Sequence, residues 1–287
     1  MILVTGASGH LGKATIDSLL KKVPAKQVVA LVRDKNKADN LKAKGVQVRV
    51  GDYTDPSSII SALEGIEDLL LVSSSSLDRL QDHKNVIDAA KEKGLKHIYY
   101  TSGAVSNYGT TPLMPLAASH GDTEAYIKSS GLTYTIFQNS MYAETIPMYV
   151  GEKAVDTGIY FPAEDGKAAF ALRTDMAEAI ANAITSDGHE NKTYVITGSK
   201  AYSFADVAEV LSELAGKQVT YISPEPADYE ATLKKYNVPE DGIFILSLFA
   251  ETFRHHDLEQ IDPAMENLLG RKPTDLRTYL KSAYFSN

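Results

Sequence analysis

Met1-Ile-Leu-Val-Thr-Gly-Ala-Ser-Gly-His-Leu-Gly12 opens the chain. Ile2 to Val4 form a short apolar run, the pattern of a strand buried on both faces. Gly6, Gly9 and Gly12 follow at intervals of three, and from Leu11 apolar residues recur at helical spacing (Leu11, Ala14, Ile16, Leu19, Leu20). Strand, glycine turn and helix in that order give a glycine-rich motif its meaning. The first glycine permits the tight turn. The second removes a Cβ where a pyrophosphate approaches the backbone, and the third lets helix and strand pack closely. Free N–H groups at the start of the helix then face the phosphates.

Working outward, apolar strand patterns recur at Gln27–Val32, Val46–Val50, Asp68–Val72, Lys96–Tyr100 and Thr133–Gln138. Helical patterns separate them at Lys37–Lys44, from Asp55-Pro56 onward, at Leu77–Lys93 and at Pro115–Ser129. Asp55 reads as an N-cap with Pro56 in the first turn, and Gly131 as a C-cap. This alternation predicts a Rossmann-like, doubly wound parallel α/β sheet over residues 1–150. Beyond Asn139 the rhythm changes. Helices are predicted near Met141–Val150, Thr174–Thr185, Ser203–Leu214, Pro226–Tyr236, Ile243–His256 and Thr274–Ser282. Strands are predicted at Gly158–Phe161, Lys192–Thr197 and Gln218–Ile222. Ser203-Phe-Ala-Asp206 reads as a capping box with Asp in place of Glu. Residues 151–287 are therefore expected to form a smaller α/β lobe over the crevice, sharing some strands and helices with the first domain.

The chain has 287 residues and a net charge of −8, with no basic run, which argues against a nucleic-acid partner. Cys is absent, so disulfides, thiol catalysis and Cys-ligated metal are excluded, in keeping with a cytoplasmic protein. No apolar run approaches the ~18–20 residues of a membrane span, and the chain starts directly on a strand, so neither a membrane anchor nor a signal peptide is expected. His255-His256 with Asp257 does not make a metal site, because adjacent residues point apart on a helix. The second strand ends in Arg33-Asp34. A guanidinium there suits a ribose 2′-phosphate by charge and fork geometry, pointing to NADPH, whereas Asp34 leaves NADH open. Asp52 and Tyr53 end the third strand, where an adenine would lie on the sheet edge or where a turn residue and a packing Tyr would serve. Ser73-Ser-Ser-Ser76 end the fourth, either as part of a ligand crevice or as a flexible loop.

Thr5-Gly-Ala-Ser-Gly-His-Leu-Gly12, Val32-Arg33, Tyr100-Thr-Ser102 and Leu269-Gly-Arg-Lys-Pro273 together resemble the NmrA-like branch of the atypical short-chain dehydrogenase/reductases. Within it they are similar to the group of bacterial NAD(P)H:quinone oxidoreductases and triphenylmethane reductases. His120-Gly-Asp-Thr-Glu124 and Asn139-Ser-Met-Tyr142 add to the likeness. The resemblance implies cofactor contacts from Gly6, Ser8, Gly9, His10, Leu11, Arg33, Asp52, Ser73, Ser74, Ser75, Thr101 and Asn139. Asn139 suits a nicotinamide carboxamide, since an amide both donates and accepts. Relatives often carry Arg before that Asn, where this chain has Gln138.

Typical members of the superfamily use a Tyr and a Lys four residues later on the helix after strand five. This chain offers His120 and Glu124 there instead. Its Tyr149-Val-Gly-Glu-Lys153 lies after strand six and reads as coincidence. The missing pair constrains the reaction. Carbonyl reduction makes an alkoxide and needs a strong proton donor. Quinone reduction makes a delocalised phenolate-like anion that needs little acid assistance. The expected activity is therefore NADPH-dependent reduction of quinones or similar electron-poor aromatics by a monomer or homodimer. Tyr142 and His120 are the nearest candidates for proton donation or quinone stacking, and Glu124 reads as helix surface or an ion-pair partner. A dye or azo-compound reductase, or an NAD(P)-sensing regulator without turnover, carries the same motifs.

Overall fold

A computed structural model describes residues 1–76 and 78–285. Eleven strands are described: β1 Ile2–Val4, β2 Val28–Val32, β3 Gln47–Val50, β4 Asp68–Val72, β5 His97–Gly103, β6 Thr133–Asn139, β7 Ile159–Tyr160, β8 Lys167–Ala168, β9 Lys192–Ile196, β10 Tyr202–Ser203 and β11 Tyr221–Ile222. Thirteen helices accompany them: α1 His10–Leu19, α2 Asp39–Ala43, α3 Pro56–Ala62, α4 Arg79–Glu92, α5 Met114–Ser130, α6 Ile146–Val150, α7 Ala154–Thr157, α8 Arg173–Ile184, α9 Phe204–Ala215, α10 Pro226–Lys235, α11 Glu240–Arg254, α12 Ala264–Leu269 and α13 Leu276–Phe285. Leu77, expected to start the α4 helix, lies outside the described residues.

Seven strands form one parallel sheet in the order β3-β2-β1-β4-β5-β6-β9. The expected doubly wound α/β fold is present. Side chains alternate along each strand, so each face buries its own set. Val28, Ala30, Val32, Leu70, Tyr99 and Phe137 join α1, α8 and α12 on one face. Val29, Leu31, Leu69, Leu71, Ile98, Tyr100 and Ile136 join α3, α4 and α5 on the other. Local signals placed the helix ends. Asp55 accepts from Ser57 and Ser58 N–H at the start of α3, Gly131 ends α5 at φ +83°, and Ser203 and Asp206 close a reciprocal capping box on α9.

The second half does not stand apart in sequence. β9 pairs with β6, and α8 packs beside α1, so both belong to the main sheet layers. Between and after them, α6, α7, α9, α11 and α13 enclose a third core containing Tyr149, Phe161, Phe204 and Phe253. Tyr149 of the Tyr-x-x-x-Lys stretch is a ring in this core, touching Phe161, Phe204, Phe249 and Phe253, while Lys153 is exposed.

Candidate functional site

All seven sheet strands run the same way, so β1, β2, β3 and β4 deliver their carboxyl ends to one edge. The connection from β3 crosses over β2 and β1 to reach β4, so strand order reverses between β1 and β4. Such a reversal opens a crevice in doubly wound sheets. A cleft of about 440 Å³ lies there. Gly6, Ser8, Gly9, Arg33, Asp52, Ser73, Ser74 and Ser75, eight of the twelve residues expected to touch cofactor, line it.

The glycine turn forms the cradle. Gly6 adopts φ +56°, which a side chain would strain. A Cβ on Gly12 would stand 2.4 Å from the Gly6 carbonyl oxygen, so only glycine lets α1 approach β1 this closely. Lys13 N–H makes the first intrahelical bond, to Gly9 O, which leaves the amides of His10, Leu11 and Gly12 without partners within the helix. That is how His10 and Leu11 would contribute: the His10 side chain is exposed and the Leu11 side chain is core, so their main-chain N–H groups are the phosphate-facing atoms.

Arg33 and Asp34 separate in role. The Asp34 carboxylate accepts from Asn36 N–H at 2.9 Å and caps the short 3₁₀ turn Lys35–Ala38, whereas Arg33 lines the cleft. Asp52 serves as a turn residue, accepting from Thr54 N–H and Oγ1 at 2.9 and 2.8 Å, and these bonds, the backbone one first, hold its carboxyl below the usual range. Tyr53 also lines the cleft. Its hydroxyl donates to Val72 O at 2.9 Å and accepts from Thr5 Oγ1, which itself accepts from Val72 N–H, bracing β3, β1 and β4 together.

The serine stretch after β4 is held from both sides. Ser73 N–H donates to Thr101 Oγ1 at 3.0 Å, so Thr101 meets the cleft through this loop. Ser74 N–H donates to His83 Nε2 at 2.9 Å, and Ser74 Oγ to Asp82 at 2.9 Å. Ser76 lines the cleft with the rest of the serine stretch, whereas Asp82, His83 and Thr54 were not among the expected site residues. The sequence signal for the first two is a polar Asp82-His83 pair on an otherwise amphipathic helix.

At the other end of the sheet edge, Asn139 is buried with both side-chain polar atoms unpartnered among the described residues. Tyr142 is half-buried under the Arg173 guanidinium, 4.2 Å from its ring centre, and burial raises its phenol above the usual range. His120 lies between α4 and β5 rather than on the cleft. Arg79 donates to its Nε2 at 3.0 Å and its Nδ1 meets the Tyr100 hydroxyl at 2.9 Å. Burial, reinforced by Arg79, lowers its pKa to about 4. Of the two readings of Glu124, the ion pair holds, with Lys128 3.4 Å away, and the surface does not: it is buried, accepting from Ser102 Oγ at 2.6 Å and Gln138 Nε2 at 2.9 Å.

The sequence model of the NmrA-like family matches residues 1–280. The chain belongs to the NmrA-like family. It is 44% identical over 245 residues to quinone oxidoreductase 2 of Escherichia coli, covering 85% of this chain and 84% of the relative. Its structure superposes on Citrobacter sp. triphenylmethane reductase complexed with NADP(H) with a TM-score of 0.92 at 34% identity, covering 99% of this chain and 100% of the other. It also superposes on the NADPH complex of an E. coli NADPH-dependent quinone oxidoreductase, with a TM-score of 0.89 at 38% identity and coverage of 98% and 99%. The NmrA-like fold thus extends through both halves of the chain.

Proposed function

We propose that this NmrA-like chain is an NADPH-dependent oxidoreductase that reduces quinones and related electron-poor aromatic acceptors. The carrying observation is the division of labour at the end of β2: Asp34 caps a turn while Arg33 faces the cleft. That arrangement suits a 2′-phosphate rather than a bare 2′-hydroxyl. The relatives' names supply the acceptor class.

The residues present fit the cofactor. The cradle at Gly6 and Gly9 leaves no Cβ in the way, the first-turn amides of α1 need acceptors, and Asn139 needs both a donor and an acceptor. We assign Ser8, Gly9 and the amides of His10 and Leu11 to the pyrophosphate, Arg33 to the 2′-phosphate, Asp52 to the adenosine end, and Ser73, Ser74 and Ser75 to the central stretch. Thr101 supports that loop. Asn139 receives the nicotinamide carboxamide, and bound NADPH supplies hydride there. Tyr142 is the group we place beside the acceptor, with Arg173 over its outer face. His120 holds Arg79 and Tyr100 in place instead of donating a proton, since both its ring nitrogens are engaged and it stays neutral at physiological pH. The chain's contribution to rate is then mostly juxtaposition of donor and acceptor with water excluded.

Oxidation of NADPH and NADH at 340 nm, with and without a benzoquinone or naphthoquinone, tests this reading. Quinone-dependent turnover favouring NADPH is expected. Tight NADPH binding without turnover across quinones and dyes would refute the enzyme and favour a sensor.

A further inference from the structure

His83 is fully buried, yet its edge reaches the cleft lining through a single atom. Ser74 N–H can only donate, so His83 Nε2 is an acceptor there. The proton of the neutral ring therefore sits on Nδ1, which donates to Thr123 Oγ1 at 2.9 Å. Thr123 in turn donates to Ser119 O at 2.6 Å. The chain from the α5 backbone to the serine loop thus has one consistent direction of donation. Its neighbours on α4 act on the same rim: Asp82 accepts from Ser74 Oγ, which itself accepts from Ser76 N–H at 3.0 Å, and Asn85 donates to Tyr53 O at 2.8 Å.

We propose that His83 is a positioning residue for the cofactor, fixing the Ser73–Ser76 loop in its binding shape through Ser74 N–H, with Thr123 holding its tautomer. Asp82 and Asn85 extend the same clamp to the Ser74 hydroxyl and the end of β3. The proposal rests on the reading of this cleft as the NADPH site. Its physical content is preorganisation. A loop ordered before binding does not lose conformational freedom when the ligand arrives, so affinity is gained without a new contact. Four consecutive serines would otherwise form a mobile segment.

The predicted signature separates positioning from general stability. His83→Leu keeps bulk but loses both hydrogen bonds. His83→Gln keeps an acceptor within reach of Ser74 N–H. Thr123→Val loses the acceptor for Nδ1–H, along with its own bond to Ser119 O, leaves Ser74 N–H its acceptor and nearly preserves volume. Amide hydrogen exchange on the cofactor-free protein reads the clamp directly: Ser74 and Ser76 should be protected in wild type and His83→Gln, and lose at least tenfold protection in His83→Leu. In the same variants, binding of NADPH followed by its own fluorescence should weaken about tenfold for His83→Leu. The KM for NADPH should rise with it while kcat stays within about twofold, Thr123→Val should fall between, and His83→Gln should restore most of the affinity. Unchanged Ser74 exchange in His83→Leu would overturn the clamp, as would a glutamine variant no better than leucine or a loss confined to kcat. Should His83→Leu fail to fold, Thr123→Val carries the same test. Wild-type protein with a protected Ser74 that does not bind NADPH would overturn the cofactor reading instead, leaving the clamp as a structural feature alone.

Discussion

Lowering the pH from 7.5 to 5.5 should unfold this protein more readily, and by a calculable amount. Two imidazoles are held neutral inside it. Burial first, then His120 and Arg79 nearby, lowers the His83 pKa to about 3. Burial and Arg79 lower His120 to about 4. In the unfolded chain both titrate near the ordinary value of about 6.5. Both native values lie below the unfolded ones. Above the unfolded value neither state is protonated and nothing is lost; as pH falls through it, only the unfolded chain takes up protons and gains stability. Each proton bound only by the unfolded state costs ~1.4 kcal/mol per pH unit, and 5.5 lies about one unit below 6.5, so the two histidines together remove about 3 kcal/mol. That is a large share of a typical ~5–15 kcal/mol. His97, also lowered by burial, adds in the same direction, while exposed His256, raised by Glu259 beside it, opposes weakly. Urea unfolding at pH 7.5, 6.5 and 5.5, followed by far-ultraviolet circular dichroism, should show the midpoint falling at constant slope. The pH dependence of His83→Gln should shrink by about half. A midpoint independent of pH across this range would refute the buried neutral assignment, and so would a glutamine variant as acid-sensitive as wild type.

Arg33→Asp should raise the Kd for NADPH by more than a hundredfold, replacing a guanidinium facing the 2′-phosphate with a like charge, and change NADH binding far less; equal loss for both cofactors in a titration would remove Arg33 from that role. Gly12→Ala and Gly9→Ala should differ sharply in thermal melting. The Gly12 Cβ would lie 2.4 and 2.8 Å from Gly6 main-chain atoms, which have no rotamer to yield, so a loss of about 3 kcal/mol or more is expected. The Gly9 Cβ meets Gly6 O at 3.2 Å, and that variant should fold but bind NADPH more weakly. Asn139→Ala should weaken NADPH about tenfold, the ~1.4 kcal/mol of one good hydrogen bond, without lowering the melting temperature of the free protein. Among the described residues the amide's two polar atoms are already buried without partners, so little native hydrogen bonding is lost on truncation. A clear drop in free-protein stability would show that Asn139 is structural.

What could be read from the chain alone follows from the range of each interaction. The Gly6-Gly9-Gly12 turn, Arg33 and the Ser73–Ser75 stretch were legible because each works within a few residues of a strand end, and a parallel sheet puts strand ends together. Asp55, Gly131 and the Ser203–Asp206 box were legible for the same reason, as caps closed within four residues. The His83 clamp was not. Its partners lie 9 and 40 residues away, and on α4 it reads as another polar side chain beside Leu80, Val86 and Ile87. Glu124 as an ion-pair partner was legible, since Lys128 lies four residues on, but its burial was not, because nothing local shows that Ser102 and Gln138, on neighbouring strands, both donate to it. The second half was hardest. β8 and β10 are two residues each, too short for alternation, and no local feature shows that β9 pairs with β6 in the main sheet rather than with the later lobe.

The buried titratable groups bear on the chemistry as well as the fold. His83, His120 and Tyr100 sit behind the carboxyl edge of the sheet, and each is committed to a hydrogen bond within the protein. Burial shifts the histidines down and the Tyr100 phenol up, so all three are kept uncharged near neutral pH. A proton relay needs a group that changes charge during turnover near the working pH, and these are held away from doing so. They stabilise a shaped cleft instead. A site whose strongest perturbations preserve shape favours acceptors that take electrons into an aromatic system and gather their proton from water. On the proposed assignment the burden of specificity falls on the surfaces around Asn139 and Tyr142, where acceptor-dependent kinetics of Tyr142→Phe and Tyr142→Ala should separate stacking from proton donation. Phenylalanine should keep quinone turnover within a few-fold and alanine should lose it, whereas equal loss in both would assign the phenol a proton-donating role.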